Sequence, residues 1–584
     1  MGLKKMTAAD LIVKYLEQLG VEYIFGVPGG ALEPLYEAMN KSNKVEAILA
    51  KHECGAAFMA GGYARVSGRI GVCCATTGPG STNLITGVAS AYCDSIPLLA
   101  ITAQAPTMTF GKTAFQEASP LGVDIIDIFK PFTKYSAMVL RREKVGEMLR
   151  QALRNALTGR KGPVHLNIPL DIMREEVSEA IIPSKQFLPD IKVTHNEGIK
   201  KAAALLMEAE NPAAFIGHGT LVSGAAHEIL QMVELLSMPV ATTPKAKGLF
   251  PEDHPLSLGV LGIAGSPQAD AWLLEEEKVD ILLAVGTTFN ELATHNWDRR
   301  LIPTKAMIQL DIDPAEMGKN YPVEISLLGD AKETLRELKE EISGRLDSLS
   351  KDERNQFHNK RSDMKKNLSL FKNKKGRYID KEKMHANDMP LKPQRVMADL
   401  RKSIPHETAF FIDCGNSVAW TIHYLDIYKP YSFFSALGFA SMGSGITSVI
   451  GGKFADPARP IVAISGDGSF LMNGTEVATT VNYDRPVIWV VLNDSQLGMV
   501  AHGRRLAGME HTNAANYKQV DFVKFAESLG ANGMMITKPG QINKEMWDEI
   551  IASGKSTVLD VIIDGEEAPP LESRVRAVKN AYFN

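Results

Sequence analysis

Near the amino terminus Ala8, Leu11, Ile12, Tyr15, Leu16 and Leu19 recur at helical spacing and stop at Gly20, which predicts an amphipathic helix closed by a glycine. The period then changes. Short continuous apolar runs follow, VEYIF at 21–25, GVCCAT at 71–76 and PLLAIT at 97–102, with helical stretches between them. Runs of this kind suit strands buried on both faces, and their alternation with helices predicts a parallel sheet. The alternation returns twice. AAFIG at 213–217, ILLAVG at 281–286 and AMIQLDID at 306–313 form a second group; AFFID, PIVAIS, VIWVVL and TVLDVII form a third, in a block that starts at about 392. Between 182 and 196 the periodicity lapses and two prolines appear, so a linker is expected there. From Arg345 to about Met389 the chain is rich in Lys, Arg, Asp, Glu and Asn, which predicts a solvated helix and a crossing loop. The expected fold is α/β, with three doubly wound parallel-sheet domains over residues 1–183, 197–345 and 392–584.

The length of 584 residues agrees with three domains, each able to bury its own core. The net charge of −4, with both signs interspersed, offers no basic field to nucleic acid or an anionic membrane. Cys54, Cys73, Cys74, Cys93 and Cys414 make no C-x-x-C pair and no disulfide framework, so free thiols in a reducing compartment are expected. No run of about 18 apolar residues and no signal sequence is apparent, and a cytoplasmic protein fits best.

The strongest chemical signal is SGDGSF at 465–470, after the strand IVAIS, together with LND at 492–494, after VIWVVL. A diphosphate held through a divalent cation needs hard oxygen ligands on neighbouring strand ends and a backbone that lets phosphate approach. Gly466 and Gly468 allow the approach, Asp467 gives one carboxylate, and Asp494 gives a second 27 positions later. TEVATTVNY reads as the crossover helix, its N-terminus turned to the diphosphate. Alone, a Gly-Asp-Gly triplet is more often a plain turn. Asn416 and Ser417, in DCGNSV after another strand, are further diphosphate candidates. In KHECGAAFMAGGYAR at 51–65, Glu53 heads a helix of small residues; by itself it reads as a solvated helix-start acid.

Together, GDGSFLMNGTEVATTVNY and VVLNDSQLGMV resemble thiamine diphosphate enzymes, and acetohydroxyacid synthase large subunits in particular. FGVPGGALEPLY, AYCDSIPLLAI and TAFQEAS extend the resemblance over nearly the whole chain. The resemblance implies a pyrimidine-binding first domain, a central domain and a diphosphate-binding third domain. It implies Mg²⁺ on the side chains of Asp467 and Asp494 and the main-chain carbonyl of Gln496, with Gly466, Gly468, Ser469, Gly498 and Met499 around the diphosphate. Asp494 departs from the pattern, since the family usually has Asn there; the site gains one negative charge. Glu53 would hold a proton at the pyrimidine nitrogen, which makes the cofactor's amino group a base. Pro79 and Asn83, in TTGPGSTNLITG, would lie near the pyrimidine. Ala440 would offer its carbonyl to the cofactor's amino group, and Met442, otherwise an ordinary packing residue, would sit beneath the cofactor's bend. Phe115 and Gln116 would face the reacting centre, with Gly30 in the wall.

The implied reaction is decarboxylation of a pyruvate-like 2-oxo acid, then carboligation of the enamine to a second carbonyl compound. SLGVLGIAGS, LLAVGTTFNE and QLDIDPAEMGKN resemble the FAD-binding part of the family, so FAD is expected as a structural group, and a homodimer or homotetramer as the assembly. A flavin-linked 2-oxo acid oxidase or a simple decarboxylase is the alternative; a non-catalytic cofactor-binding homologue is more remote. A nicotinamide dehydrogenase is disfavoured, because GHG at 217–219 lacks the third glycine of a dinucleotide fingerprint. Three substrate-selecting positions do not match the family: Leu170 and Leu292 stand where it has cations, and Gly503 where it has a large aromatic.

Overall fold

The computed structural model describes residues 5–188, 196–275, 279–509 and 513–571. The first helix, Ala8–Gln18, starts at a capping box in which Thr7 and Asp10 each accept the other's backbone N–H. Leu11, Ile12, Tyr15 and Leu16 are buried on it, as their spacing requires.

Three six-stranded sheets follow, each parallel throughout. The first runs Glu46–Leu49, Tyr23–Val27, Gly71–Ala75, Leu98–Gln104, Pro163–Pro169, Ser136–Met138. The third repeats that order with Phe433–Ser435, Ala409–Ile412, Ile461–Gly466, Ile488–Asn493, Thr557–Ile562, Asn532–Ile536. In both, the strands counted along the chain are arranged 2-1-3-4-6-5. The middle sheet differs: Ser257–Val260, Val240–Thr242, Ala213–Ile216, Ile281–Val285, Ala306–Asp311, Ile325–Leu328, or 3-2-1-4-5-6. That is the order of dinucleotide-binding sheets, in which ligands lie beyond the carboxyl ends of the strands where the winding reverses.

The first and third units share one core. Phe25, Ala60 and Tyr63 pack in the same cluster as Phe411, Ile450 and Phe454. The contact is made chiefly by helices Glu53–Ser67 and Ser444–Ala455. A Cβ on Gly62 would lie 1.9 Å from the Ser448 carbonyl oxygen, and one on Gly451 would lie 1.8 Å from that of Met59. Only glycine permits so close a crossing.

The middle unit keeps a separate core, and that core reaches further than the sequence suggests. The charged stretch expected to be a solvated helix forms Lys351–Lys375, but Phe357, Leu368 and Phe371 are buried against the middle sheet's cluster. Packing of the middle unit therefore continues to Phe371, past the 345 at which charge density rises. Arg361, also buried, donates to the carbonyl oxygens of Leu206 and Met207. At the 182–196 connection a short helix covers Ser184–Phe187, and residues 189–195 lie outside the described residues. All five cysteines are free thiols. Among the described residues no helix is long and apolar enough to cross a membrane.

Candidate active site

Beyond the carboxyl ends of the third sheet lies a cavity of about 170 Å³. Four strands deliver its lining: Cys414–Ser417 after Ala409–Ile412, Gly466–Ser469 at Ile461–Gly466, Asp494–Met499 after Ile488–Asn493, and Ile563 after Thr557–Ile562. Met442 enters from the loop before helix Ser444–Ala455. Asn416, Ser417, Met442, Gly466, Asp467, Gly468, Ser469, Asp494, Gln496, Gly498 and Met499 are thus brought together as expected.

Asp467 accepts the N–H of Gly468 at 2.8 Å and that of Ser495 at 2.8 Å. Ser495 adopts a left-handed φ of 58°, a strained state for a side-chain-bearing residue, and this turn places Asp494 and Gln496 on either side of it. Burial raises the Asp467 carboxyl, and burial together with Asp467 pushes Asp494 up to about 7. A buried and a half-buried acid side by side, the second held up by the charge of the first, suit a shared cation. Among the described residues no cluster of three or more His, Cys, Asp or Glu is placed to hold a metal, so a cation here would need backbone or ligand oxygens as well. The Gln496 carbonyl is a candidate: the Tyr517 hydroxyl, which also reaches Asp467, lies 3.4 Å from it. The Gln496 side chain turns away, to the Gly565 carbonyl at 2.7 Å and Asp494 at 3.2 Å.

Two glycines of this lining differ in what surrounds them. A Cβ on Gly498 would lie 2.8 Å from both Asn416 Nδ2 and Asp494 Oδ2, whereas one on Gly466 would meet nothing within 4 Å. Two expected donors are already engaged, since the Ser417 and Ser469 hydroxyls donate to the Asp413 and Cys414 carbonyls at 2.8 and 3.0 Å. Their backbone N–H groups, in the first turns of helices Asn416–Tyr424 and Asp467–Asn473, are what remains for an anion. The helix starts beside the cavity therefore include those of Asn416–Tyr424 and Asp467–Asn473. TEVATTVNY begins a turn later, correcting the expectation that its N-terminus faces the diphosphate.

The first-unit residues gather at a second place, beyond the carboxyl ends of the first sheet. Glu53 heads helix Glu53–Ser67 and, 9% exposed, accepts from Asn83 Nδ2 at 3.0 Å. Pro79 opens helix Pro79–Asn83, and a Cβ on Gly80 would come 3.2 Å from Glu53 Oε1. Gln116, with φ 58°, packs over Gly78, and its carbonyl accepts from the Thr77 hydroxyl at 2.7 Å. Gly30 begins a short turn after Tyr23–Val27. Phe115 is 86% exposed and Ala440 is exposed with φ 57°, so neither is enclosed within one chain. Every residue lining the 170 Å³ cavity belongs to the third unit, and Glu53 is not among them.

Three family profiles match the chain: thiamine pyrophosphate enzyme N-terminal TPP binding domain on residues 6–124, central domain on 199–338, and C-terminal TPP binding domain on 413–561. A probable acetolactate synthase large subunit of Methanocaldococcus jannaschii is 39% identical over 97% of this chain and 93% of its own length. The acetolactate synthase large subunit of Corynebacterium glutamicum is 34% identical over 97% and 88%, and the isozyme 3 large subunit of Escherichia coli 30% over 97% and 96%. The chain belongs to the thiamine pyrophosphate enzymes, in the acetolactate synthase large-subunit family.

In this thiamine pyrophosphate enzyme the sequence reading missed two supports of the third-unit cavity. Asp413, wholly buried and pushed up to about 6 by burial, accepts the N–H groups of Gly443, Gly445 and Ile446 and so fixes the turn after Met442. His502 lies between Asn416 Nδ2 at 2.9 Å and the Gly565 carbonyl at 2.8 Å. An amide nitrogen can only donate, so His502 Nδ1 accepts and Nε2 carries the proton, a neutral ring in agreement with the lowering of its pKa by burial. Asn416 Oδ1 is left buried without a partner in the protein, as a ligand-facing group would be. Asp413 was readable only as the end of a strand, and His502 only as a neighbour of Gly503 that, like Arg504, could restore an anion site.

A larger cavity, about 640 Å³, lies beyond the carboxyl ends of the middle sheet. It is lined by Gly219, Thr243, Thr287 and Asp311 from that unit, Arg160 and Lys161 from the first, and Leu437 and Gly438 from the third. The glycines of GHG serve packing there: a Cβ on Gly217 would lie 2.2 Å from the Gly286 carbonyl oxygen. Leu292 lines this cavity.

Proposed function

We propose that this chain binds thiamine diphosphate and a divalent cation, decarboxylates a pyruvate-like 2-oxo acid, and joins the retained carbon fragment to a second carbonyl compound. The observation that carries the reading is the buried Asp467 and half-buried Asp494 beside the unpartnered Asn416 Oδ1 in one cavity, with Gly498 packed closely against Asn416 and Asp494. Asp467, Asp494 and the Gln496 carbonyl would hold Mg²⁺, and the backbone N–H groups of the adjacent helix starts would face the diphosphate. When bound, thiamine diphosphate supplies an electron sink for the carbanion left as CO₂ departs. Glu53 holds a proton at the pyrimidine nitrogen, and Asn83 orients its carboxylate. Met442 reaches across Gly468 to support the bend, its Cε 3.7 Å from a Cβ built there.

Within one chain the Asp467 cavity is lined by the third unit alone and Glu53 is not among its residues, which supports a site completed by the first unit of another copy. We therefore read the working form as a homodimer or a larger even assembly. The exposed Phe115, Met108 and Leu121, all more than 70% accessible, are suited to such a contact. The middle cavity, on a sheet of dinucleotide-binding order, has the size and position for FAD. Carboligation moves no net electrons, so a flavin there would act structurally.

Purified protein supplied with thiamine diphosphate, Mg²⁺ and a panel of 2-oxo acids should release CO₂ and form ligation products detectable by mass. Cofactor-dependent CO₂ release with aldehyde as the sole product would make the chain a decarboxylase instead, and electron transfer to oxygen an oxidase.

A further inference from the structure

We propose that Glu476 of the third unit is a positioning residue for Glu53; this rests on the reading of Glu53 as the acid at the pyrimidine nitrogen. Glu476 ends the short turn Gly474–Glu476 and is completely buried. Its carboxylate accepts the N–H of Lys51 at 3.0 and 3.1 Å and the N–H of His52 at 3.0 Å. The Thr479 hydroxyl donates to its other side at 2.7 Å. Lys51 and His52 are the two residues before Glu53, and His52 is the N-cap of the helix that Glu53 begins. N–H groups at the start of a helix have no partner within it. Here a carboxylate more than four hundred residues away in sequence supplies one.

The surroundings are built around this contact. A Cβ on Gly55 would lie 2.3 Å from Glu476 Oε1, so the first turn of the helix can approach only as glycine. The connection just upstream hangs from the same stretch, with the Leu49 N–H donating to the Tyr483 hydroxyl at 2.8 Å. No ion pair joins Glu476 to a cation among the described residues; the Thr479 hydroxyl, the two backbone N–H groups and the more distant charge of Lys51 oppose the effect of burial on it. Those two N–H groups set the position of the backbone that carries Glu53. Proton transfer depends on placement within a few tenths of an ångström, and a displacement near 1 Å costs about 100-fold. Glu476→Gln keeps the shape but replaces the oxygen that shares the Lys51 N–H and accepts from Thr479 by an NH2 group, so the Lys51–Glu53 segment loses part of its anchor.

The test is hydrogen–deuterium exchange at C2 of bound thiamine diphosphate, which reports activation without any substrate, together with the dissociation constant of the cofactor. Glu476→Gln should slow exchange about 10- to 100-fold and change cofactor affinity less than about 3-fold. The double variant Glu53→Gln/Glu476→Gln should be no slower than Glu53→Gln alone, because both losses act through one carboxylate. Thr479→Val, which removes one support of the Glu476 carboxylate, should slow exchange less and in the same direction; it serves as the test if Glu476→Gln does not fold. Wild-type exchange in Glu476→Gln and Thr479→Val, with Glu53→Gln slow, would overturn the role of Glu476 alone. Additive losses in the double variant would also overturn it. Wild-type exchange in Glu53→Gln would instead remove the reading of Glu53 on which it rests.

Discussion

Glu53 and Gly503 show how differently single residues constrain this enzyme. Glu53 is buried, bonded to Asn83 and flanked by Gly80, so its carboxylate has one orientation. Glu53→Gln should leave the fold and cofactor binding intact while lowering turnover by at least ~100-fold, the usual worth of a positioned acid or base; steady-state rates at saturating cofactor measure it. Gly503 sits in helix Gly498–Leu506, whose first turn lines the third-unit cavity, and a Cβ there would meet nothing within 4 Å. A side chain can therefore start there without meeting backbone. Leu170 opens helix Leu170–Arg174 and Leu292 lines the middle cavity; at the acceptor-selecting positions that the family resemblance implies, they would offer no charge to a carboxylate, and each missing charge-assisted bond is worth roughly 1.5–3 kcal/mol. Of the two neighbours that could restore an anion site, His502 has its ring held neutral between Asn416 and Gly565, which leaves Arg504 of the same helix as the competing cation. Pyruvate should thus be a weak acceptor beside an aldehyde or a larger 2-oxo acid, and Gly503→Trp should shift preference toward small acceptors. Competition between pyruvate and an aldehyde, read by product mass, decides this; a sub-millimolar preference of the wild type for pyruvate would refute it.

Among the elements, the crossing of helices Glu53–Ser67 and Ser444–Ala455 is the least tolerant of change. Gly62→Ala and Gly451→Ala would each drive a methyl into a backbone carbonyl, so the helices must part. A loss of about 1–3 kcal/mol or more is expected in denaturant unfolding. Gly61 lies in the same helix with nothing within 4 Å of its Cβ, and Gly61→Ala should be neutral or stabilising by about 0.5–1 kcal/mol. Equal effects at positions 61 and 62 would show that helix propensity, not the crossing, sets the cost. The small-residue pattern of KHECGAAFMAGGYAR was legible in the sequence; which glycines touch the other helix was not, because the partner lies almost four hundred residues away. Strands showed the same division. Central strands such as Leu98–Gln104 and Ile488–Asn493, buried along their length, were readable as apolar runs. Short ones such as Glu46–Leu49, Ser136–Met138 and Phe433–Ser435 carried too few residues to show a period. Helix Lys351–Lys375 hid its few buried contacts under a charged composition.

At the scale of the molecule, Asp94 ties the three units together. Its wholly buried carboxylate meets Arg65 of the first unit at 2.7 Å, Lys245 of the middle unit at 3.0 Å and the N–H of Gly438 of the third at 3.0 Å. Burial alone would raise this carboxyl, but Lys245 and Arg65 outweigh it and hold it at about 2, below its ordinary 3.8. A carboxyl depressed on folding stabilises the native state above its unfolded pKa and loses that contribution as pH falls through the folded one. Asp94→Asn should therefore be less stable than wild type near neutrality, and the gap should narrow between about pH 4 and pH 2; a gap independent of pH would assign the loss to packing. The same scale explains what the sequence left unresolved about the site. Asp467, Asp494 and Gly498 were recognisable because local strand–turn geometry assembles them, whereas Glu53 lies in another unit and no local pattern relates it to them. Within one chain, Glu53 bonds to Asn83 while the Asp467 cavity is lined by the third unit alone. If sites form between copies, Glu53→Gln and Asp467→Asn each disable both sites of a homodimer. A hybrid of the two places both defects in one site and leaves the other intact. Random reassortment of equal amounts should then restore about a quarter of wild-type activity from two nearly inactive preparations. The mixture, first dissociated and then reassembled, is assayed beside each variant treated alone. Sedimentation of the wild type supplies the independent check, since a fully active monomer would place Glu53 and Asp467 in one chain's site and exclude any rescue.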